Sequence, residues 1–326
     1  MKKLICVILS LLMLVSLTAC GADPATTPTG YTYKVAIVQQ LDHSSLDEIR
    51  VAVEAQLTAL GLADNVGIQI ESFNGQNDSS MLNQIGTEVV SDGVDMIIPI
   101  ATTAAQCMVT AADGTDTPIV YAAISDPETA GLTGIPTVTG VSDALNTPFI
   151  LDMMLAVNPE IQTVGLLYSN SEPNSVTPIK EAKAYLDSKN IAYIEKTGNT
   201  ADEVISAASA LVGRCDAVFT PTDNAIMNVA PTVAETLNAA GIPHYTGADS
   251  FVQAGSFTTC GVNYTELGTY TAAMAMDVLQ GGAVPEFHVM DGGIITVNTD
   301  TAAALSLDYS AFSTMANTVV EVKTAG

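Results

Sequence analysis

The reading of the fold turns on Asp95-Met96-Ile97-Ile98-Pro99-Ile100-Ala101-Thr102-Thr103-Ala104-Ala105-Gln106. Asp95 to Ile100 is short, apolar and bounded by polar residues, which suits a strand covered on both faces. Thr102 and Thr103 follow at the expected N-cap, where a side-chain oxygen satisfies orphan backbone donors. A helix start with free N–H groups at the carboxyl end of a parallel strand is an anion site, and a ligand carboxylate is expected there. The competing reading is a purely structural cap at Thr102.

The same strand–helix alternation extends to both sides. Lys34 to Gln40 is an apolar strand. Ser45 with Glu48 reads as a capping box, opening a helix with Leu46, Ile49, Val53, Leu57 and Leu60 on one face and Gly61 at its end. Val66 to Phe73 is a strand, and Asp78 or Ser79 caps a helix that turns Met81, Leu82, Ile85 and Val89 inward. Strands follow at 118–122 and 138–141. From Asn146-Thr147-Pro148 the pattern repeats, with strands at 163–168, 191–195, 217–220 and 243–246 and helices at 175–188, 201–211 and 224–240. Two rounds of βα units predict an α/β fold of two doubly wound parallel-sheet lobes. A strand at 257–263, a helix at 266–279, a hairpin over Asp291-Gly292-Gly293 and a helix at 299–305 complete the expectation. This tail is too long for one lobe. Lobe 1 is expected to take 32–145 plus 255–284 and lobe 2 to take 146–254 plus 285–326, joined by a multi-strand hinge.

The chain of 326 residues suits about two domains. It is 48% hydrophobic and carries 10 basic against 35 acidic residues, a formal net charge of −25. That balance repels phosphate backbones and excludes nucleic acid as a partner. Lys2-Lys3 followed by the mostly apolar Leu4 to Leu17 reads as a signal peptide, too short to span a membrane. It ends in Leu17-Thr18-Ala19-Cys20, which resembles the bacterial lipobox. The resemblance implies a signal peptide over 1–19, cleavage before Cys20 and a lipid on its sulfur, anchoring an extracytoplasmic protein to the membrane. Residues 20–31 then form the lipidated start and a flexible tether. Cys107, Cys215 and Cys260 are far apart without CxxC spacing, so they read as small buried hydrophobes. No metal and no cofactor is expected.

Enzyme motifs for nucleotide, metal or nucleophile chemistry do not occur. Gly140-Val141-Ser142-Asp143-Ala144 departs from the hydrolase pattern at its last position. Ligand contacts are expected where a parallel sheet aims its strand-end loops. These loops hold Gln39 and His43, then Thr102 and Thr103, Asp126, and Ser142 with Asp143; in the second lobe, Asn174 and Ser175, Asp223 and Asp249. The first lobe offers donors to a carboxylate and the second offers carboxylates to an ammonium. A buried zwitterion needs both, because an unpaired buried charge is costly. Asp223 is the expected ammonium partner; as an N-cap for a helix starting at Asn224 it could serve both roles.

Assembled, these residues resemble the ABC-transporter substrate-binding lipoproteins of the type that includes tryptophan- and other aromatic-amino-acid-binding members. The likeness rests on Ile37-Val38-Gln39 with His43 and Leu46-Asp47, Ile100 to Gln106, Ser125-Asp126-Pro127 with Ala130-Gly131-Leu132, and Thr139 to Asp143. It continues through Leu167-Tyr168, Asn174-Ser175, Pro221 to Asn224 and Leu267-Gly268. The resemblance implies a periplasmic-binding-protein type I fold closing on a solute. It implies ligand contacts from Thr102, Thr103, Asp126, Ser142, Asp143, Asn174, Ser175 and Asp223. An L-amino acid ligand is expected, an aromatic one as the narrower choice, with an ABC permease as membrane partner and a monomeric state. Thr103 stands where the family often has Pro, and Asp42 where it often has Glu before His. The alternatives are a sensory receptor of the same fold, a nucleoside or sugar ligand, or a hydrolase using Ser142.

Overall fold

The computed structural model describes residues 30–325. The expected signal peptide, Cys20 and most of the tether lie outside them. Among the described residues no helix is long and apolar enough to cross a membrane.

The first lobe is built from β1 (Thr32–Gln39), α1 (Ser44–Ala63), β2 (Gly67–Asn74), α2 (Ser79–Ser91), β3 (Met96–Ile100), α3 (Thr102–Ala111), β4 (Ile119–Ala122) and β5 (Val138–Ser142). The chain then enters the second lobe with α4 (Thr147–Val157), β6 (Thr163–Tyr168), α5 (Val176–Lys189), β7 (Ala192–Thr197), α6 (Ala201–Ser209) and β8 (Ala217–Thr220). It continues with α7 (Asn224–Met227), α8 (Ala230–Ala239), β9 (His244–Thr246), α9 (Asp249–Gln253) and β10 (Thr258–Gly261). The remainder is α10 (Tyr264–Leu279), β11 (His288–Val289), β12 (Ile294–Asn298), α11 (Thr299–Ala304), α12 (Phe312–Met315) and β13 (Thr318–Val322).

Two sheets result, ordered β11-β5-β4-β3-β1-β2 and β13-β12-β10-β9-β8-β6-β7. Every pairing is parallel except β10 with β12. All five residues of β3 are buried, as a central parallel strand requires. In both sheets the strand order reverses beside the first strand of the lobe, β1 or β6, which places the ligand crevice at the carboxyl ends of these strands.

The tail divides differently from the sequence expectation. β10 belongs to the second sheet, while α10 packs on α1 of the first lobe. Gly268 permits that packing: a Cβ there would lie 2.6 Å from the Ile49 carbonyl oxygen. β11 and β12 do not form the expected hairpin. β11 pairs with β5 in one sheet and β12 with β10 in the other. The chain therefore crosses between lobes three times, after β5, after β10 and after β11. Pairing across the wider sheets outweighs the local turn chemistry of Asp291-Gly292-Gly293.

Three local expectations also yield to tertiary contacts. The Ser45–Glu48 capping box does not form: His43 is the N-cap, the Ser45 hydroxyl donates to Asp249, and Glu48 accepts from the Thr265 amide and hydroxyl. Helix α1 runs through Gly61 to Ala63. The helix expected over 224–240 is two, broken before Pro231.

Candidate functional site

The lobes meet over a narrow gap holding about 380 Å³ not filled by protein atoms, part of it open at the mouth. Polar ties cross it at four places. Ser45 Oγ donates to Asp249 Oδ1 at 2.8 Å, and Gln40 Nε2 donates to Glu172 Oε1 at 3.2 Å. The Ser125 and Thr222 hydroxyls lie 3.0 Å apart, and the Thr177 hydroxyl donates to Asp126. One apolar cluster also runs through, from Leu46 and Tyr264 on one side to Ile226, Ala248 and Phe251 on the other. The lobes are closed on each other.

The floor on the first-lobe side is the turn after β3. Its N-cap is Ala101, not Thr102 or Thr103, and the cap residue itself makes no side-chain cap. The expected structural cap is therefore absent, and Thr102 occupies the first helical position with its side chain buried against the gap. Ala101 has φ 77° and ψ 161°, a region that strains any residue with a Cβ. Ala123, after β4, has φ 57°. Both line the gap, so two strand ends facing it hold an alanine at positive φ. The Thr103 amide is taken by Gln40 Oε1 at 3.1 Å.

The second lobe supplies acid. Asp223 N-caps α7 by accepting from the Ile226 amide, and also accepts from the Ser169 amide and the Ser175 hydroxyl. Burial nonetheless pushes its carboxyl above the usual range, against those hydrogen bonds. Glu172 lies behind it, accepting from Gln40 and from Asn224 Nδ2. Burial, and then the Asp223 charge, raise Glu172 as well. Across the gap Asp143 is raised to about 6 by burial, opposed by the Ser125 hydroxyl that donates to it. Among the described residues no Lys or Arg lines the gap. Buried carboxyls in this number, with no cation facing them, favour a ligand that brings positive charge.

Of the residues expected from sequence, His43, Thr102, Asp143, Asn174 and Asp223 line the gap together. Gln39, Thr103, Asp126, Ser142, Ser175 and Asp249 do not. Gln39 is spent on the Leu41 carbonyl, Asp47 and Arg50. Asp126 accepts from Thr129 and Thr177, and Ser142 Oγ accepts from the Ala144 amide. Ser175 orients Asp223, and Asp249 holds Ser45. Sequence reasoning missed the apolar lining of Leu46, Met227, Phe251 and Tyr264, and the polar Ser125, Thr222, Asn224 and Ser250. Ser125, Thr222 and Asn224 stood in the quoted loops and Ser250 directly follows the expected Asp249; the apolar ones sit on helices, where they look like ordinary core positions. Among the described residues no group of His, Cys, Asp and Glu is placed to hold a metal ion.

The chain is 31% identical over 322 residues to a tyrosine-binding protein of Clostridioides difficile, covering 94% of this chain and 93% of that one. A Streptococcus pneumonia ABC domain solved in complex with L-Trp superposes with a TM-score of 0.81 at 29% identity, covering 89% of this chain and 100% of that one. The ligand-free, open structure of a Clostridium difficile substrate-binding protein with adhesive properties gives 0.67 at 30% identity, covering 90% and 100%. At nearly equal identity this structure superposes better on the ligand-bound relative than on the open one. The two lobes have the periplasmic-binding-protein type I fold. The family model for ABC transporter substrate binding proteins matches residues 34–319. With nearly the whole described chain matched, and with its acid-lined gap between two parallel-sheet lobes, this protein belongs to the ABC transporter substrate-binding family.

Proposed function

We propose that this chain captures an L-amino acid, an aromatic one, between its lobes and presents it to an ABC permease outside the membrane. The observation that carries the reading is the pairing of poles in one gap. Asp223 and Asp143, with Glu172 behind, face it with no Lys or Arg among the described lining residues, and the start of α3 with Thr102 faces the same space. An ammonium answers the acids, and a carboxylate suits the helix start. A neutral sugar or nucleoside would leave the acids unpaired. The names of the relatives, one tyrosine-binding and one solved with L-Trp, favour the same class. The expected contacts are His43, Thr102, Asp143, Asn174 and Asp223.

Closure around a solute couples binding to a new outer surface, the form a permease would recognise. Cys20 would tether a monomeric receptor to the membrane through its lipid, and mass spectrometry of membrane-extracted protein should find an acylated Cys20 at the N-terminus. Calorimetry and thermal shift against a panel of amino acids, sugars and nucleosides test the ligand class. Stabilisation by aromatic L-amino acids is expected; a response to sugars or nucleosides alone would refute it.

A further inference from the structure

The four polar ties across the gap differ in depth. Ser45–Asp249, Ser125–Thr222 and Thr177–Asp126 each have one or both side chains partly open to solvent. Gln40–Glu172 alone joins two buried side chains, 1% and 4% exposed. Neither residue lines the gap. The pair lies behind it, beside Asp223 and Asn224. A hydrogen bond at this depth counts for more than an exposed one, because water cannot take the place of either partner.

Gln40 is held in place from three sides. It follows β1, where its backbone amide donates to the Ile100 carbonyl and its carbonyl accepts from the Asn77 amide. Its side-chain oxygen accepts from the Thr103 amide at 3.1 Å, so it caps the start of α3 from another element. Its side-chain nitrogen donates to Asn77 Oδ1 at 2.8 Å and, across the gap, to Glu172 Oε1 at 3.2 Å. Gln76 and Asn77, with φ 52° and 56°, form the left-handed turn that presents the first of these acceptors. The sense of the amide is set by its partners: the Thr103 N–H can only donate, so the oxygen faces it and the nitrogen is left for Glu172. In the second lobe Glu172 Oε2 accepts from Asn224 Nδ2 at 3.0 Å. A continuous chain of hydrogen bonds therefore runs from the start of α3 through Gln40 and Glu172 to the start of α7.

We propose that Gln40 is a positioning residue for capture: through Glu172 it latches the lobes shut over the solute without touching it, and so sets how long the solute stays bound. The inference rests on the amino-acid reading above. The tie forms only once the lobes have met, so it acts on release and not on encounter. Losing a hydrogen bond to a buried carboxyl corresponds to about a 10- to 100-fold faster release.

Stopped-flow association and displacement of L-tyrosine and L-tryptophan test it. Gln40→Glu keeps an acceptor for the Thr103 amide, and Asn77 can turn its own amide to donate, so the loss falls on the donor facing Glu172. Gln40→Met removes the amide without adding charge. Each variant should release the amino acid about 10- to 100-fold faster, with little change in the association rate. Exchanging the pair, Gln40→Glu together with Glu172→Gln, returns one donor and one acceptor to the tie and keeps an acceptor for Asn224. It should recover most of the lost residence time. A residue that merely supports the first lobe would lower the ligand-free melting temperature in Gln40→Glu and gain nothing from the exchange. Unchanged release in both single variants, or an exchange that releases as fast as Gln40→Glu, overturns the latch and leaves the amino-acid reading standing. Failure of both amino acids to bind the wild type overturns the two together.

Discussion

Two loops of this molecule read almost alike and behave oppositely. Ser125-Asp126 follows β4 and Thr222-Asp223 follows β8; each places an aspartate just after a hydroxyl residue beyond a strand end. Burial pushes Asp126 up, but hydrogen bonds from the Thr129 amide and from the Thr177 and Thr129 hydroxyls outweigh it, so its carboxyl stays below the usual range. Asp223 also receives three hydrogen bonds, yet its carboxyl is raised, because it is fully buried. The number of hydrogen bonds does not settle the charge of an acid. Depth does. Asp126 is satisfied by the protein and serves to tie the lobes; Asp223 lacks a cation.

The strongest way to break that contrast is Asp223→Asn. It keeps the shape of the cap and removes the charge facing the gap. Affinity for an amino acid should fall by about 100-fold or more, the scale for losing one partner of a buried charge pair, as read by calorimetry. Asp126→Asn should change it by less than about tenfold. Similar losses for both would show that the two loops do the same job.

Glu172 sharpens the comparison through pH. Its carboxyl rises from 4.5 to about 8 in the folded protein. The folded state thus holds a proton that the unfolded state gives up in this window. The contribution is fully present below pH 4.5 and is lost as pH climbs through about 8. The ligand-free protein should melt lower at pH 8 than at pH 5, on the order of 5 °C, and Glu172→Gln should flatten the slope. A melting temperature that rises over this range would show that Glu172 and Asp223 are not a strained acid pair.

The smallest effect is expected from Asp126→Ala. Losing the Thr177 tie should cost about 1 kcal/mol and appear mainly as faster ligand release. Stopped-flow dissociation checks this; an unchanged off-rate would show that the tie does not hold the closed state.

The fold was highly legible because hydrophobic periodicity is a local property. The buried run Met96 to Ile100, the helical spacing of Leu46, Ile49, Val53 and Leu57, and the second round of strands from Thr163 all appear in the structure. The site was half legible. Strand-end position located Thr102, Asp143, Asn174 and Asp223, since a parallel sheet aims those loops at its crevice. It could not separate Asp223 from Asp126, or Ser125 from Ser142, because the direction of a loop side chain depends on what the opposite lobe brings against it.

The sequence alone determined the kind of molecule: two parallel-sheet lobes, a strong negative balance, and loops rich in hydroxyls and carboxylates at the strand ends. These follow from residue spacing and composition, which act over a few turns of chain. Only the tertiary structure decided which carboxyls lie buried without a cation, that Ala101 rather than a threonine opens α3, and that Asp291-Gly292-Gly293 is a crossing between lobes instead of a hairpin. Burial, register and charge proximity arise from contacts between segments far apart in the chain, and no local pattern carries them.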